Sequence, residues 1–290
     1  VNGKTGKMDF TGTNASVVIQ QVFDVAPDNS VVYFKASEGG RGGVDNITFH
    51  YLDAPITITK GVKIVGSGRN KVYIRPSSNF QSGSPLIRVD PPDYVYIFEI
   101  EDMKFDDNDE NNNDVDTWIQ IDSNVKEINI RHTEFKCDVR IYDSPAWNSL
   151  FDVWFVDDSD LCFCGNSSGW RIEGCIFSGG YFATYNPYDS GYTLSKMVIV
   201  GNVFKQNAKL SFEMHESLIV GNRFDSADWV VLINPYDVIV SDNVFIDALH
   251  NMIKLWGTGS RVKIHNNEFC AESGESGIVS VDADMTDLTI

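Results

Sequence analysis

The chain has 290 residues, of which 42% are hydrophobic, 12% aromatic and 22% charged, and its formal charge is −18. This composition excludes a disordered chain, and no apolar run reaches the roughly 18 residues of a membrane helix, so no membrane insertion is expected. Asp and Glu number 41 against 23 Lys and Arg. Such an excess repels phosphate backbones, so nucleic acid is not expected as a partner.

The N-terminal third predicts one short helix followed by strands. Residues 15–26 carry apolar side chains near helical spacing, which predicts a helix that caps the structure after it. Alternating apolar residues predict four strands, at 31–34, 56–59, 62–65 and 72–74. Gly66-Ser67-Gly68 predicts a turn between the last two of them.

The densest acidic run of the sequence spans residues 106–114. Asp107, Asp109 and Asn111 alternate like the first ligands of a calcium loop. Asn112 stands where such a loop has Gly, and Trp118 where it has its closing Glu. A solvated acidic loop is therefore the favoured interpretation. Calcium is the one cofactor that the sequence leaves open.

A repeated pattern runs through the rest of the chain. Each copy has an apolar residue, then a few residues that are mostly polar or small, and then Phe. Its seven copies end at Phe105, Phe135, Phe177, Phe204, Phe224, Phe245 and Phe269. The last four copies have an Asn two residues before Phe, and these are Asn202, Asn222, Asn243 and Asn267. A spacing in the low twenties with β-branched residues predicts stacked coils of short strands.

Each copy is typical of a strand, a tight turn and a second strand. Gly and Asn tolerate the positive φ of a sharp corner, so the four asparagines are expected to stack and to bond from coil to coil. The phenylalanines are expected to stack inside. A leucine-rich repeat has a similar period, but its Leu framework is missing. We therefore predict an all-β fold, a parallel β-helix that forms a single domain over residues 1–290, and we expect the protein to continue beyond them.

The order of these elements resembles the pectate-lyase-like superfamily of right-handed parallel β-helices. The similar segments are 19–26, 32–34, 56–58, 61–68, 72–74 and the later Gly-Asn-x-Phe coils. The resemblance implies the right-handed form of this fold from about residue 15 to residue 290. It does not choose a function, because the superfamily contains polysaccharide lyases, glycoside hydrolases, tailspikes, adhesins and structural proteins without catalysis.

The catalytic motifs of the superfamily are incomplete in this chain. Arg261-Val262-Lys263 is similar to the Arg-x-Lys triplet of polygalacturonase-like members, and Asp157-Asp158 to their aspartate pair. The Gly-His-Gly step is missing, and the two segments are too many coils apart to share one site. Arg261 is therefore interpreted as a solvated strand residue.

In enzymes of the superfamily, the outward strand face that follows each Phe strand forms the substrate groove. Strand alternation places Gln120 among the outward residues there. The outward binding candidates on this face are Arg140, Tyr142, His215, Lys254 and Trp256. If the protein is an enzyme, the catalytic candidates are Asp122, Glu213 and Asp225. A solvated sheet face is the alternative interpretation.

The interval between Phe135 and Phe177 is about twenty residues longer than the later intervals between repeat phenylalanines. It predicts an insertion loop at 143–170, where binding surfaces are commonly built. The aromatic candidates of this region are Trp147, Trp154, Trp170, Tyr181 and Tyr185. A loop that packs its tryptophans against itself is the alternative.

Two functions remain open at this point. The first is an extracellular domain of tailspike, fibre or adhesin type, at a cell or virion surface, that binds a polysaccharide or cell-surface glycan. Resembling tailspikes are commonly trimers, so a homo-oligomer belongs to this hypothesis. The second is a polysaccharide lyase or glycoside hydrolase that acts on an acidic polysaccharide.

Overall fold

The computed structural model describes residues 13–36, 47–107, 117–143, 148–184, 192–227, 229–247, 252–270 and 279–290. These residues form a parallel β-helix with one short helix near the N-terminus, so the predicted fold class is confirmed. Each coil passes through three faces of the solenoid. Within the described ranges, no helix is long and apolar enough to cross a membrane.

The first face is a sheet of ten parallel strands, which we call the Phe sheet. Its strands are Thr48–Leu52, Val72–Pro76, Lys104–Asp106, Glu134–Lys136, Trp154–Phe155, Ile176–Ser178, Val203–Lys205, Arg223–Asp225, Val244–Ile246 and Glu268–Cys270. The remaining strands form one larger sheet that bends over the other two faces.

We call face A the strands that follow the Phe sheet within each coil. They are Ile56–Ile58, Ser84–Val89, Thr117–Ile121, Asp138–Ile141, Leu161–Phe163 and Tyr181–Thr184, continued by Ile253–Ser260 and Val279–Thr286. Face B precedes the Phe sheet. It comprises Ser30–Phe34, Val62–Gly66, Val95–Glu101, Val125–Arg131, Asn148–Phe151, Trp170–Glu173, Val198–Val200 and Lys263–His265. Two long strands, Lys209–Val220 and Trp229–Ser241, cross from face A to face B, and two short ones, Ser167–Ser168 and Leu194–Ser195, lie at that bend.

The helix Ala15–Val25 covers the first coil. The Asn14 side chain accepts a hydrogen bond from Val17 N at 3.2 Å, which satisfies one of the free amides at the helix start. Ile19 and Phe23 are buried against the core below. The helix thus protects the apolar end of the solenoid, as the sequence predicts.

A column of eight phenylalanine rings fills the interior behind the Phe sheet. Neighbouring rings have centroids 4.6–5.4 Å apart and lie within 23° of parallel. The column contains the seven repeat phenylalanines and also Phe155, which stacks between Phe135 and Phe177. Every ring except the last, Phe269, is buried.

Phe155 corrects the prediction of an insertion loop at 143–170. The described part of this segment, residues 148–170, is a full coil that contributes strands to all three faces. The repeat pattern missed this coil because Phe151 follows its first apolar residue, where the neighbouring copies have the polar residues Glu101, Arg131 and Glu173. The long interval between Phe135 and Phe177 therefore holds an extra rung of the solenoid.

One residue with positive φ turns the chain before each of the last eight Phe strands. These residues are Asp102, His132, Asp152, Gly174, Gly201, Gly221, Asp242 and Asn266, with φ between 48° and 64°. Asp, Asn and Gly adopt this region at the lowest cost, which explains why they dominate the corner. The residue that follows each corner points into the interior.

In the last four coils that interior residue is asparagine, and the amides form a ladder. Asn202 Nδ2 donates to Asn222 Oδ1 at 2.9 Å, Asn222 Nδ2 to Asn243 Oδ1 at 3.0 Å, and Asn243 Nδ2 to Asn267 Oδ1 at 2.9 Å. Each Oδ1 also accepts from a backbone amide of the preceding coil, the first being Cys175 N at 2.8 Å. The side chains thus satisfy backbone groups that the corner leaves without sheet partners.

The ladder gives a test of what holds the coils together. We expect Asn222→Ala to lower the free energy of unfolding by about 3 kcal/mol, because it leaves buried donors and acceptors on two neighbouring coils without hydrogen-bond partners. Asn267→Ala, at the half-exposed end of the ladder, is the matched control and should cost about 1 kcal/mol. Urea unfolding followed by circular dichroism measures both, and equal losses would contradict the ladder's role.

Candidate functional site

The register of face A brings outward side chains of successive coils into rows. One row runs through Arg88, Gln120, Arg140, Cys162, Ala183, Ser211, Val231, Lys254 and Ser280. Its central members, Cys162, Ala183, Ser211 and Val231, are buried, so the accessible side chains of the row lie toward its two ends. A second row, two residues further along the strands, contains Glu213, Ile233, Trp256 and Asp282. The residues between these rows, Phe212, Leu232 and Leu255, are completely buried. Face A therefore presents binding candidates from distant parts of the sequence on one surface.

A charged and aromatic cluster occupies the middle of face A. The Arg140 guanidinium lies 4.1 Å from the centroid of the Trp118 ring, and its Nη2 lies 3.3 Å from Asp138 Oδ2. Asp122 accepts hydrogen bonds from Arg88 Nε at 2.9 Å and from Gln120 Nε2 at 2.8 Å. These contacts fix planar polar groups beside an aromatic ring, an arrangement that suits sugar hydroxyls and ring faces.

Asp160 lies beside this cluster on the next coil. Its backbone N donates to Asp138 Oδ1 at 3.1 Å, and its own Oδ1 accepts from Tyr181 N at 2.7 Å. Burial raises the pKa of Asp160 to about 6, and the neighbouring Asp138 adds to the rise. Burial, together with Cys164, also raises the pKa of the Tyr142 phenol to about 12. Sequence reasoning missed Asp160, because its environment depends on three coils.

A cleft of about 650 Å³ opens at the bend between faces A and B. Glu213, His215 and Tyr236 line it, and the strands that carry them change register there. Such bulges re-aim side chains at the edge of a site. The His215 ring meets the Tyr236 ring edge-on at 5.9 Å.

Arg261 borders the same cleft. Its guanidinium lies 4.2 Å from the centroid of the Tyr236 ring, and it makes a bidentate ion pair with Asp237. The side chain is exposed, in agreement with its interpretation as a solvated residue, but it stands at a corner with φ 54°.

The three catalytic candidates do not come together. Asp225 lies on the outer side of the Phe sheet, paired with Arg223 at 2.9 Å. Asp122 and Glu213 both lie on face A but four strands apart, about 19 Å at the usual strand spacing. Glycosidic cleavage needs two carboxyl groups about 5–9.5 Å apart, so these residues cannot act as one pair.

The aromatic candidates divide among different surfaces. Trp170 is 1% exposed and packs edge-on against Phe163 in the core, so it cannot contact a ligand. Trp154 lies on the Phe sheet under the Arg69 guanidinium, 3.9 Å from its ring centroid. Tyr181 lies on face A, where Lys209 Nζ approaches its ring at 4.6 Å. Trp147 and Tyr185 lie outside the described residues.

The predicted calcium ligands are described only in part, since Asp109 and Asn111 lie outside the described residues, and calcium stays a prediction. In the described part of the chain, the side chains of Glu101, Asp102 and His132 have ligand atoms within 4.8 Å of one another. His132 Nδ1 lies 3.7 Å from Asp102 Oδ1 and 4.0 Å from Glu101 Oε1. This group could hold a divalent metal, but it lies at the corner between face B and the Phe sheet, away from face A.

Comparison with known proteins supports the fold. No protein-family model matches the sequence, and a search of curated proteins finds no match. The structure is similar to ORF18 of Geobacillus virus E2, with a TM-score of 0.61 and 14% identity over 98% of this chain. This chain spans 60% of that viral protein.

Two further solved structures are similar at lower scores. The mannuronan C-5 epimerase AlgE4 A-module of Azotobacter vinelandii has a TM-score of 0.48 and 14% identity, over 98% of this chain and 95% of that one. The surface protein and adhesin PfbA of Streptococcus pneumoniae has a TM-score of 0.42 and 10% identity, over 98% and 96%.

The raised pKa of Asp160 gives a pH-dependent prediction. The pKa of Asp160 is about 6 in the folded state and has its ordinary value of 3.8 in the unfolded chain. Between these two pH values the folded protein keeps the Asp160 proton, whereas the unfolded chain has released it. Its contribution to stability therefore falls as pH rises through this window and stays low above it. We expect Asp160→Asn, which cannot ionise, to match the parent protein near pH 4 and to exceed its melting temperature above pH 6.

Thermal unfolding from pH 3.5 to 8 measures this difference. Asp225→Asn removes one carboxylate from the exposed outer side of the Phe sheet and serves as the control. A difference between Asp160→Asn and the parent that stays flat across the range would contradict the desolvation of Asp160.

Proposed function

We propose that this chain is a β-helix domain of tailspike, fibre or adhesin type that binds a polysaccharide or cell-surface glycan along face A. Its proposed location is extracellular, at a cell or virion surface, where such glycans occur. Trimerisation is part of the proposal and is supported by the resemblance to tailspikes. The observation that carries the binding role is the set of outward rows on face A, with hydrogen-bonding and aromatic side chains.

The geometry of the rows favours an extended ligand. Successive coils are about 4.8 Å apart, so a long chain lying along the solenoid axis can contact Gln120 and Arg140 on one part of face A and Lys254 and Trp256 on another. The strands are fixed by ladder bonds and ring stacking, so binding orders few additional groups. The exposed Trp256 offers a ring face, while Gln120, Asp122 and Arg140 offer donors and acceptors.

Two variants test this binding surface. Arg140 and Trp256 lie five strands apart on face A, so a long polymer reaches both. We expect Arg140→Ala and Trp256→Ala each to weaken binding about five- to tenfold, through loss of hydrogen bonds in one and of ring contact in the other. Isothermal titration calorimetry against the polymers of a glycan panel measures the effect.

Arg223→Ala is the matched control, because it removes an exposed arginine from the Phe sheet. It should leave the affinity unchanged. Equal weakening by all three variants, or by none, would place the glycan elsewhere on the molecule.

A second candidate function is glycoside hydrolysis, and the pair Asp138 and Asp160 favours it. The two residues lie side by side on adjacent strands, where side chains stand about 5 Å apart. A carboxyl with pKa about 6 suits a general acid that protonates the leaving oxygen, while the second carboxylate serves as nucleophile or base. In this proposal the two residues replace the candidates Asp122, Glu213 and Asp225.

Release of reducing ends from a polysaccharide panel separates the two candidates. A hydrolase should release them with a rate that falls at least about a hundredfold in Asp160→Asn, since general acid catalysis contributes that much. Binding without release across the panel would leave the binding domain as the function.

A further inference from the structure

The cations of face A all have partners within the described part of the chain. They are Arg88, Arg140, Lys209 and Lys254, together with Arg261 at the cleft. Arg88 Nη2 lies 3.0 Å from Asp90 Oδ2, in addition to its bond with Asp122. Lys254 Nζ lies 3.2 Å from Asp282 Oδ2. Arg140 and Arg261 pair with Asp138 and Asp237 as described above.

Lys209 has a different partner. Its Nζ donates to the Tyr181 hydroxyl at 3.0 Å and lies over the same ring. The ammonium group is therefore engaged by an aromatic neighbour and not by a carboxylate.

Carboxylates exceed cations on this surface. Asp160 and Glu213 add to the five acidic residues already in the ion pairs, Asp90, Asp122, Asp138, Asp237 and Asp282. An anionic polymer would meet this local excess and the formal charge of −18 of the whole chain. To be bound, each of its charged groups would have to displace a carboxylate from an arginine or from Lys254, or the Tyr181 hydroxyl from Lys209.

An uncharged sugar meets no such barrier. Its hydroxyls can donate to the carboxylates and accept from the guanidinium groups while the ion pairs remain intact. The ring of Trp256, which is 38% exposed, can contact the apolar face of a sugar. The surface therefore fits neutral sugars better than uronates or sulfated sugars.

We infer that the ligand of face A is an uncharged polysaccharide, a polymer of neutral hexoses or N-acetylhexosamines, and not an acidic one. This inference rests on the proposed binding function of face A. It departs from the acidic polysaccharide expected under the enzyme hypothesis. It also disfavours a lyase, because β-elimination requires a uronate carboxyl group in the substrate.

The experiment compares neutral and acidic polymers at two salt concentrations. The neutral probes are mannan, galactan, dextran and chitin oligosaccharides, and the acidic probes are alginate, polygalacturonate, hyaluronan and heparin. We expect binding to at least one neutral polymer. Its affinity should change by less than about twofold between 50 and 500 mM NaCl, because contacts with an uncharged ligand are not screened by salt. Binding to an acidic polymer alone would overturn the inference but leave the binding function standing. Binding to none of the eight would count against the binding function itself.

A gain of function tests the pairing directly. Asp282→Asn releases Lys254 on face A, and we expect at least a fivefold rise in affinity for alginate at low salt. The matched control, Asp225→Asn, releases Arg223 on the Phe sheet and should give no rise. No rise with Asp282→Asn, or an equal rise in both variants, would show that ion pairing on face A does not exclude acidic polymers.

Discussion

Contact between one coil and the next is the interaction on which the rest of this protein depends. A single coil has too little interior to exclude water from its own side chains, so its stability comes from the coils above and below it. Here the contact has two parts, the stacked rings behind the Phe sheet and the hydrogen bonds along the strands and corners. The rings bury apolar area, and the amides satisfy the backbone where the chain turns too sharply for sheet pairing. In the last four coils the two parts act together, because a corner that lost its asparagine would leave buried donors beside an apolar column.

This contact also determines the surface. Once the rings and the amides fix the register, an outward residue of one coil must lie above its equivalent in the next, about 4.8 Å away. Arg140 and Lys254 are more than a hundred residues apart in sequence, yet they stand in one row for this reason. The interior repeat therefore places the outward residues without constraining which residues they are. This freedom is what allows one fold to carry many surfaces.

The sequence predicts the features that repeat and fails on those that depend on contacts between coils. The recurring Phe and Asn positions indicate the solenoid, because every coil must solve the same packing problem at the same place. The coil of Phe155 was missed because Phe151 interrupts the polar step of the pattern, and Trp170 was taken for a surface residue when its coil was taken for a loop. The environment of the Asp160 carboxyl arises between neighbouring coils, and so does the approach of Glu101 and Asp102 to His132. The number of residues between equivalent positions varies from one pair of coils to the next. Distances of this kind require the register, and no local pattern supplies it.

Charge pairing on face A connects the composition of the chain to its ligand. A protein with a formal charge of −18 repels other anions at long range, and its few cations could still bind them if they pointed freely into solvent. On face A the arginines and Lys254 instead lie against carboxylates of the same or a neighbouring coil, at distances such as 2.9 Å for Arg88 and Asp122, and Lys209 lies against Tyr181. Each ion pair weakens the local electrostatic field, while both partners keep donors and acceptors that can bind a ligand. The surface is therefore polar but carries little uncompensated positive charge. Specificity then depends on the positions of hydroxyl groups and ring faces along the ligand, and salt concentration should have little influence on binding.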